Sequence, residues 1–349
     1  MPFTTEEISA AGAYSLDFHL RNKPIDQVGY QHPLLKALMA KQKAFPGGKQ
    51  YIVENLKFDY GSNFQWYYGD QTVTYNKRRT VTTAQYAWTS AHDGFTLNED
   101  ELLQNGIEID DRPGAKPGRH ADFDKDKLVD LFDDRTSDLR LGFEEALDLA
   151  LHRVGTGEAI NGLNALISTT PTSGTVGGIN RATSGNEWWR NHVSLNIAQG
   201  SLINTMEQVW RSCTRNGGKP DLIVCGSDFL DDFRVAADAV IDRYTILPTA
   251  GGQAGFDPGV TNLSFKGVPI IWSPTFYEVQ AIESASPSWE KRCYFLNTSH
   301  LRLRPMRGHD MVTRTPPRVY DRYAYYWGLT WKGALTMNRS NAHAVLGID

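Results

Sequence analysis

From Asp126 to Val154 apolar residues recur at helical spacing: Leu128, Phe132, Leu139, Phe143, Ala146, Ala150 and Val154 stand three, four or seven positions apart. One face of a single helix is therefore apolar. Roughly thirty residues at ~1.5 Å each give a rod of roughly 43 Å, against ~11–12 residues for an ordinary helix. Such a rod acts as a spine on which other elements lie, and Gly155 and Gly157 end it. Ahead of it Asp122, Asp124 and Asp126 alternate as in a calcium loop. The sixth position is Lys127 instead of Gly, however, and the twelfth is Asp133 instead of Glu. Acidic residues before a helix follow from its dipole alone.

Residues 1–50 read as an arm. "PLLKALMAKQKAF" offers one short amphipathic helix, ended by Pro46, Gly47 and Gly48, and its surroundings hold too few apolar residues for a core. This arm is expected to lie across a neighbouring molecule. From Tyr51 the period changes to two: "YIVENLKF", "NFQWYYG" and "QTVTYNKRRTVTTAQYAW" predict two or three antiparallel strands, broken at Gly61 and at Gly69-Asp70. Trp66, Tyr67 and Tyr68, then Lys77, Arg78 and Arg79, place large residues on both faces. A ribbon of that kind does not pack as one face of a domain; it projects and meets a partner. "LNEDELLQNG" closes the 51–110 region as a short helix with Asn98 as its N-cap.

After the spine, "INGLNALIS" leads into "TTPTSGTVGGINRATSGNEWW". Its glycines Gly174, Gly177 and Gly178 are hinge candidates at a crossing between a 111–177 domain, which carries the spine, and a 178–310 domain. "LNIAQGSLINTMEQVWRSCT" reads as a helix with Ile203, Met206, Trp210 and Cys213 on one face, stopped by Gly217, Gly218 and Pro220. "LIVC" is a short buried strand, and Ser227 caps "DFLDDFRVAADAVIDRY". "ILPTAGGQAGFDPG", with Gly251, Gly252 and Gly255, is a mobile loop. "TNLSFKGVPIIWSP" is a hairpin turning at Lys266-Gly267. "RCYFLNTSHLRLRPM" and "RVYDRYAYYWGLTWKGALTMN" are further strands, the latter within a closing segment 311–349. The class is α+β.

Motifs for chemistry fail on inspection. A phosphate-binding loop needs Gly, four residues, Gly, Lys and Ser or Thr between a buried strand and a helix; "GTVGGINRA" lacks the Lys-Ser/Thr pair. "CGSDF" around Ser227 lacks the second glycine of a nucleophile elbow. The nine histidines show no paired ligand spacing. Cys213, Cys225 and Cys293 are odd in number and far apart, which predicts reduced thiols rather than disulfides or a zinc cluster. No catalytic, cofactor or metal residue is assigned. A net charge of −4 supplies no global field for nucleic acid. "MPFTTEEISA" has no apolar signal core, and no apolar run reaches the roughly 18 residues of a membrane span. The expectation is a soluble product of the cytoplasm.

The order of arm, ribbon, long helix and mixed domain resembles the major capsid protein of tailed double-stranded DNA bacteriophages, with the Hong Kong 97-type (HK97-like) fold. The segments "GLNALIS" with "GTVGGINR", "PDLIVCGSDFLDDF", "LSFKGVPIIWSP", "CYFLNTSHLRLR" and "YYWGLTWKGALTMNRSNAHAVLGI" are similar to that family in order and spacing. Residues 1–155 match in architecture more than in letters.

The resemblance implies a virion protein, made and assembled in the bacterial host cytoplasm, whose copies form the hexamers and pentamers of an icosahedral shell. The ribbon from Tyr51 to Trp88 would be the E-loop and the helix at 126–154 the spine of the peripheral domain. Residues 178–310 would form the axial domain, with Gly251, Gly252 and Gly255 near a capsomer centre, and 311–349 strands returning to the periphery. A portal and a separate scaffolding protein are implied partners, since fifty residues leave little room for a cleaved scaffolding segment; a decoration protein is compatible. Packaged double-stranded DNA would touch the shell non-specifically, with weak affinity for the isolated subunit at physiological salt. Lys57 and Lys77 lie where some relatives form a covalent crosslink, but no partner Asn stands out, so a non-covalent shell is expected. Two alternatives share features: an encapsulin-type compartment, told apart by enzyme cargo, and a nucleotide-binding enzyme using the Gly174–Gly178 loop, told apart by a nucleotide-binding assay.

Overall fold

Leu34, Leu35 and Leu38 fall on one face of the first helix, α1 (Pro33–Ala40), and all three are buried. Proline at its first position presets the helical φ where no N–H is needed. The computed structural model describes residues 32–98, 100, 121–215, 217–241, 263–316 and 324–349, with the side chains of 121–134 and 238–241 set aside. Within them the chain divides into two units. One comprises His92–Glu145 and Met311–Trp331; the other comprises 32–91, Ala146–Asp310 and Lys332–Asp349.

In the larger unit α1 leads to β1 (Tyr51–Lys57), which pairs antiparallel with β2 (Val81–Ala87) from Tyr51 opposite Ala87 to Lys57 opposite Val81. β3 (Thr89–Asn98) follows and carries the chain into the smaller unit. The spine is α2 (Ala121–His152), 32 residues long. In its last turns the buried residues are Phe143, Leu147 and Leu151, together with Asp148 and His152. Ala146 and Val154 are exposed, so the buried stripe runs i, i+4, i+8 from Phe143 and differs from the one read in the sequence. Asp148 turns inward because it holds the end of α1. Its Oδ1 accepts the Leu35 N–H at 3.2 Å and its Oδ2 accepts the Thr275 hydroxyl at 2.6 Å, with His32 Nδ1 at 3.3 Å. This carboxylate caps a helix that has no side-chain cap of its own. Residues 32–45, expected on a neighbour, therefore lie on their own chain: Lys43 N–H donates to Leu303 O and Phe45 N–H to Pro305 O. Residues 1–31 are outside the described residues.

After α3 (Leu163–Leu166) and a short hairpin, β4 (Thr175–Val176) and β5 (Ile179–Asn180), the elements alternate. They are β6 (His192–Ile197), α4 (Leu202–Thr214), β7 (Leu222–Cys225), α5 (Ser227–Ile241), β8 (Ser264–Phe265), β9 (Val268–Trp272), α6 (Thr275–Ile282), β10 (Arg292–Leu296), β11 (Leu301–Pro305), β12 (Val312–Arg314), β13 (Ala324–Met337) and β14 (Ala344–Ile348). "LNI", read as the start of a helix, ends β6. Six strands form one sheet in the order β6-β14-β10-β7-β9-β8, parallel at β6·β14 and β7·β9 and antiparallel elsewhere. Every residue of β7, β10 and β14 is buried. Met206, Trp210 and Cys213 of α4 and Phe229 and Phe233 of α5 complete this core. The end of the 311–349 segment, expected to return to the periphery, is thus built into the sheet of the 178–310 region, because "AVLGI" is apolar on both faces. α5 begins at Ser227 itself, and the carbonyl of Gly226 accepts the Leu230 N–H at 3.2 Å; the cap is one residue earlier than the sequence suggested. In the smaller unit β12 pairs with the first half of β13, while β11 pairs with its second half in the larger unit.

Candidate functional site

The base of the ribbon is fastened first. Glu54 on β1 takes the Arg304 Nη2–H at 2.6 Å, both side chains nearly buried, which ties the strand pair to β11. Trp88 donates its indole N–H to Lys49 O at 3.0 Å and packs on Phe45. Phe58 stacks on Trp188 at 5.5 Å. Beyond Lys57 and before Val81 the ladder stops: residues 58–80 carry no strand, although "NFQWYYG" alternates. Side chains replace the ladder. Gln65 Oε1 accepts the Thr74 N–H at 3.2 Å, Asn63 donates to Thr74 O, and Tyr68 N–H donates to Gln71 Oε1 at 3.2 Å around Gly69. Local amide contacts of this kind compete with a backbone ladder.

Trp66, Tyr67, Tyr68, Lys77, Arg78 and Arg79 all sit on this loop and all are exposed. Trp66 is 89%, Tyr68 87% and Tyr75 91% accessible. Tyr60, Phe64 and Tyr75 belong with them. The signal that marks these three in the sequence is an aromatic-rich, Gly- and Asn-containing segment between two strands. Phe64 and Trp66 meet edge-on at 5.1 Å, and Lys57 lies over the Tyr60 ring at 4.6 Å. Large amphipathic rings beside cations, held on a braced stalk, are the composition of a protein-contact surface.

The glycine stretch is ordered differently from a phosphate cradle. Gly177 and Gly178, at φ 60° and 77°, form the turn between β4 and β5. The turn docks on β2: Gln85 N–H donates to Gly177 O at 2.9 Å, and a Cβ on Gly177 would stand 2.9 Å from Ala84 Cβ. Gly174 O accepts the Arg181 N–H at 2.9 Å. The Arg181 guanidinium is wholly buried and donates to Trp189 O, Leu166 O and Ser340 Oγ at 3.1, 2.5 and 3.0 Å. Burial lowers its pKa to about 10, against a raising influence from Tyr86. Trp189 in turn donates to Val176 O at 3.0 Å. Neither Arg181 nor Asp148 stood out in the sequence, where nothing marks a polar residue as interior. Gly251, Gly252 and Gly255 lie outside the described residues.

Among the described residues no group of three His, Cys, Asp or Glu side chains could hold a metal, and no helix is long and apolar enough to cross a membrane. Cys213, Cys225 and Cys293 are buried free thiols. Burial raises the first two to about 12 and the third well above its ordinary value, the opposite of an activated nucleophile. A groove of about 580 Å³ in the smaller unit is lined by His92, Phe95, Arg314, Tyr326 and Trp327 among others, with no carboxylate or thiol among the described residues of its wall.

His343 is buried and takes the Asn297 N–H on Nδ1 at 3.1 Å, and burial lowers its pKa to about 3, helped by His300 and opposed by Asp221. The unfolded chain therefore binds a proton that the folded chain refuses. His343's contribution to stability is complete above about pH 6.5 and is lost as pH falls toward 3, by about 1.4 kcal/mol per pH unit. His192 and His300, also lowered, act in the same direction. Thermal melts of the unassembled chain should show a Tm that falls from pH 7 to pH 5. In His343→Asn, whose amide oxygen can replace Nδ1, that fall should shrink; an unchanged pH dependence would contradict the assignment.

No family model and no curated protein matches the sequence. Solved structures do. A chain of the capsid asymmetric unit of cyanophage A-1(L) superposes with a TM-score of 0.61 at 13% identity, over 94% of this chain and 95% of that one. A chain of the capsid of Myoviridae phage XM1 gives 0.52 at 11% identity, covering 95% and 97%. A chain of the capsid of a native GTA particle gives 0.52 at 11%, covering 95% and 96%. With near-complete coverage on both sides and the α+β order described above, the chain has the HK97-like fold of phage capsid subunits.

Proposed function

We propose that this chain is a major capsid protein, a structural subunit whose copies close into the hexamers and pentamers of an icosahedral phage head around double-stranded DNA. The observation that carries the reading is the 58–80 loop. Six aromatic side chains stand in solvent on a stalk braced by Glu54–Arg304, an arrangement that makes sense when a second copy covers it. In this reading the ribbon from Tyr51 to Trp88, with this loop as its far part, is the E-loop and α2 the spine. The segment with Gly251, Gly252 and Gly255 approaches a capsomer centre. The Gly174–Gly178 hairpin moves with β2 when subunits adapt to pentamers or hexamers. The particle is a virion component, joined by a portal and a separate scaffolding protein, and its shell is held without covalent crosslinks.

Negative-stain imaging of the purified chain tests this. Regular shells tens of nanometres across are expected, and monodisperse small oligomers would overturn the reading. Trp66→Ser/Tyr67→Ser/Tyr68→Ser removes only exposed rings, so stability should shift by no more than about 0.5 kcal/mol while shell yield collapses. Normal shells from this variant would mean the loop is not the clasp.

A further inference from the structure

A second surface has the opposite chemistry to the loop. Arg211 and Arg215 stand one turn apart at the end of α4, lining a shallow groove with Gln208 and Ser212. That end of α4 adjoins the 340–342 turn: a Cβ on Gly218 would lie 2.8 Å from Ala342 Cβ. Arg339 precedes the same turn. Next to Arg339, Asn338 donates its N–H to His300 O at 3.0 Å and meets His300 Nδ1 at 2.8 Å through its side chain. Arg302 lies opposite Thr336 in the adjoining register. Lys219 closes the circuit through its carbonyl, which takes the Asn297 Nδ2–H at 2.9 Å, and Lys41 reaches Thr298 Oγ1 at 2.6 Å. Arg302 and Arg339 both help burial to lower the His300 pKa, which places their charges in one neighbourhood.

Six cations thus gather on a chain of net charge −4, all exposed or half-exposed. Asp221, the carboxylate in their midst, is engaged by Lys41 at 2.7 Å and by the Thr298 N–H and hydroxyl. Arg211, Arg215, Arg302 and Arg339 have no carboxylate partner among the described residues. The exposed large apolar side chains (Trp66, Trp272 and Tyr277 among them) all lie outside residues 211–221, 298–302 and 338–342. A protein partner needs apolar anchors at the centre of its footprint. A phosphate backbone needs only cations, preferably the planar fork of arginine.

We infer that this patch is where the subunit meets the phosphate backbone of double-stranded DNA, without reading its sequence. As a statement about the packaged genome it rests on the capsid reading; as a statement about DNA contact it stands on the patch alone. Affinity should be weak at physiological salt and rise steeply below it, since the five cations left once Lys41 is paired with Asp221 would neutralise about five phosphates and give a slope of about −4 to −5 in log K against log salt.

The test is fluorescence anisotropy of the full chain with a 30-base-pair duplex between 25 and 150 mM NaCl, with imaging of shells in parallel. Arg211→Gln/Arg215→Gln/Arg302→Gln/Arg339→Gln should reduce the slope by about 3 to 4 and weaken binding at 50 mM by at least tenfold. Its melting temperature and shell yield should stay near wild type. The Trp66/Tyr67/Tyr68 serine variant should bind DNA like wild type. Unchanged DNA binding in the arginine variant overturns the inference and leaves the capsid reading intact. So does a variant that binds DNA normally but fails to form shells, which would mark the patch as a protein interface. Patch-dependent DNA binding by a wild-type chain that forms no shells supports the patch and counts against the capsid reading.

Discussion

Replacing Arg181 by leucine should destabilise the unassembled chain by about 3–5 kcal/mol. The guanidinium is buried without a carboxylate partner among the described residues; its donors end on Leu166 O, Trp189 O and Ser340 Oγ. Removing it strands three acceptors in the interior, each worth about 1–3 kcal/mol when unsatisfied, with some relief where water can enter. Leu166, Trp189 and Ser340 come from three separate parts of the chain, and the Gly174–Arg181 hairpin docked on β2 hangs from the same residue. The loss should therefore loosen the ribbon base as well as lower global stability. Arg181→Lys keeps the charge but cannot form the same fork, and an intermediate loss of about 1–3 kcal/mol is expected. Denaturant melts measure both. A leucine variant within 1 kcal/mol of wild type would show that the guanidinium organises nothing.

Gly226→Ala should be comparably damaging, by about 3 kcal/mol or more. Here the reason is space rather than dihedral freedom. The residue lies between β7 and α5, and a Cβ would come within 2.5 Å of Glu290 Cα and closer still to its carbonyl oxygen. Two backbone segments, pinned by Gly226 N–H to Arg292 O at 3.0 Å, would have to part. Gly200→Ala is the control: a Cβ there meets nothing within 4 Å and the φ is not left-handed, so the melting temperature should hardly move. Equal melts for the two variants would refute the steric account.

Elements whose identity depends on neighbours in the chain were readable directly. The presence of one long helix, the four buried residues of "LIVC" and the Lys266-Gly267 turn, at φ 50° and 81°, all follow from local spacing, whereas the helix's buried stripe, Phe143, Leu147 and Leu151, is not the one the spacing suggests. The aromatic and cationic residues of the 58–80 loop were readable too, though not its lack of strand, which Asn63, Gln65 and Gln71 bring about through side-chain contacts. β3 went unread because "TSAHDGFTLN" is polar. The position of β14 went unread because an apolar run does not say which strands flank it. Asp148 and Arg181 look like surface residues in one dimension; their partners are up to 159 positions away.

The sequence by itself determined the class of the chain, its long helix, most of its strands and the aromatic and cationic composition of the 58–80 loop, because hydrophobic period and turn chemistry act over a few residues. Only the tertiary structure decided which polar groups are interior and which cations converge. Burial and electrostatic neighbourhood are set by contacts between distant segments. The arginines at 211, 215, 302 and 339, scattered along the sequence, become one surface when β6, α4, β11 and the 338–342 turn fold together.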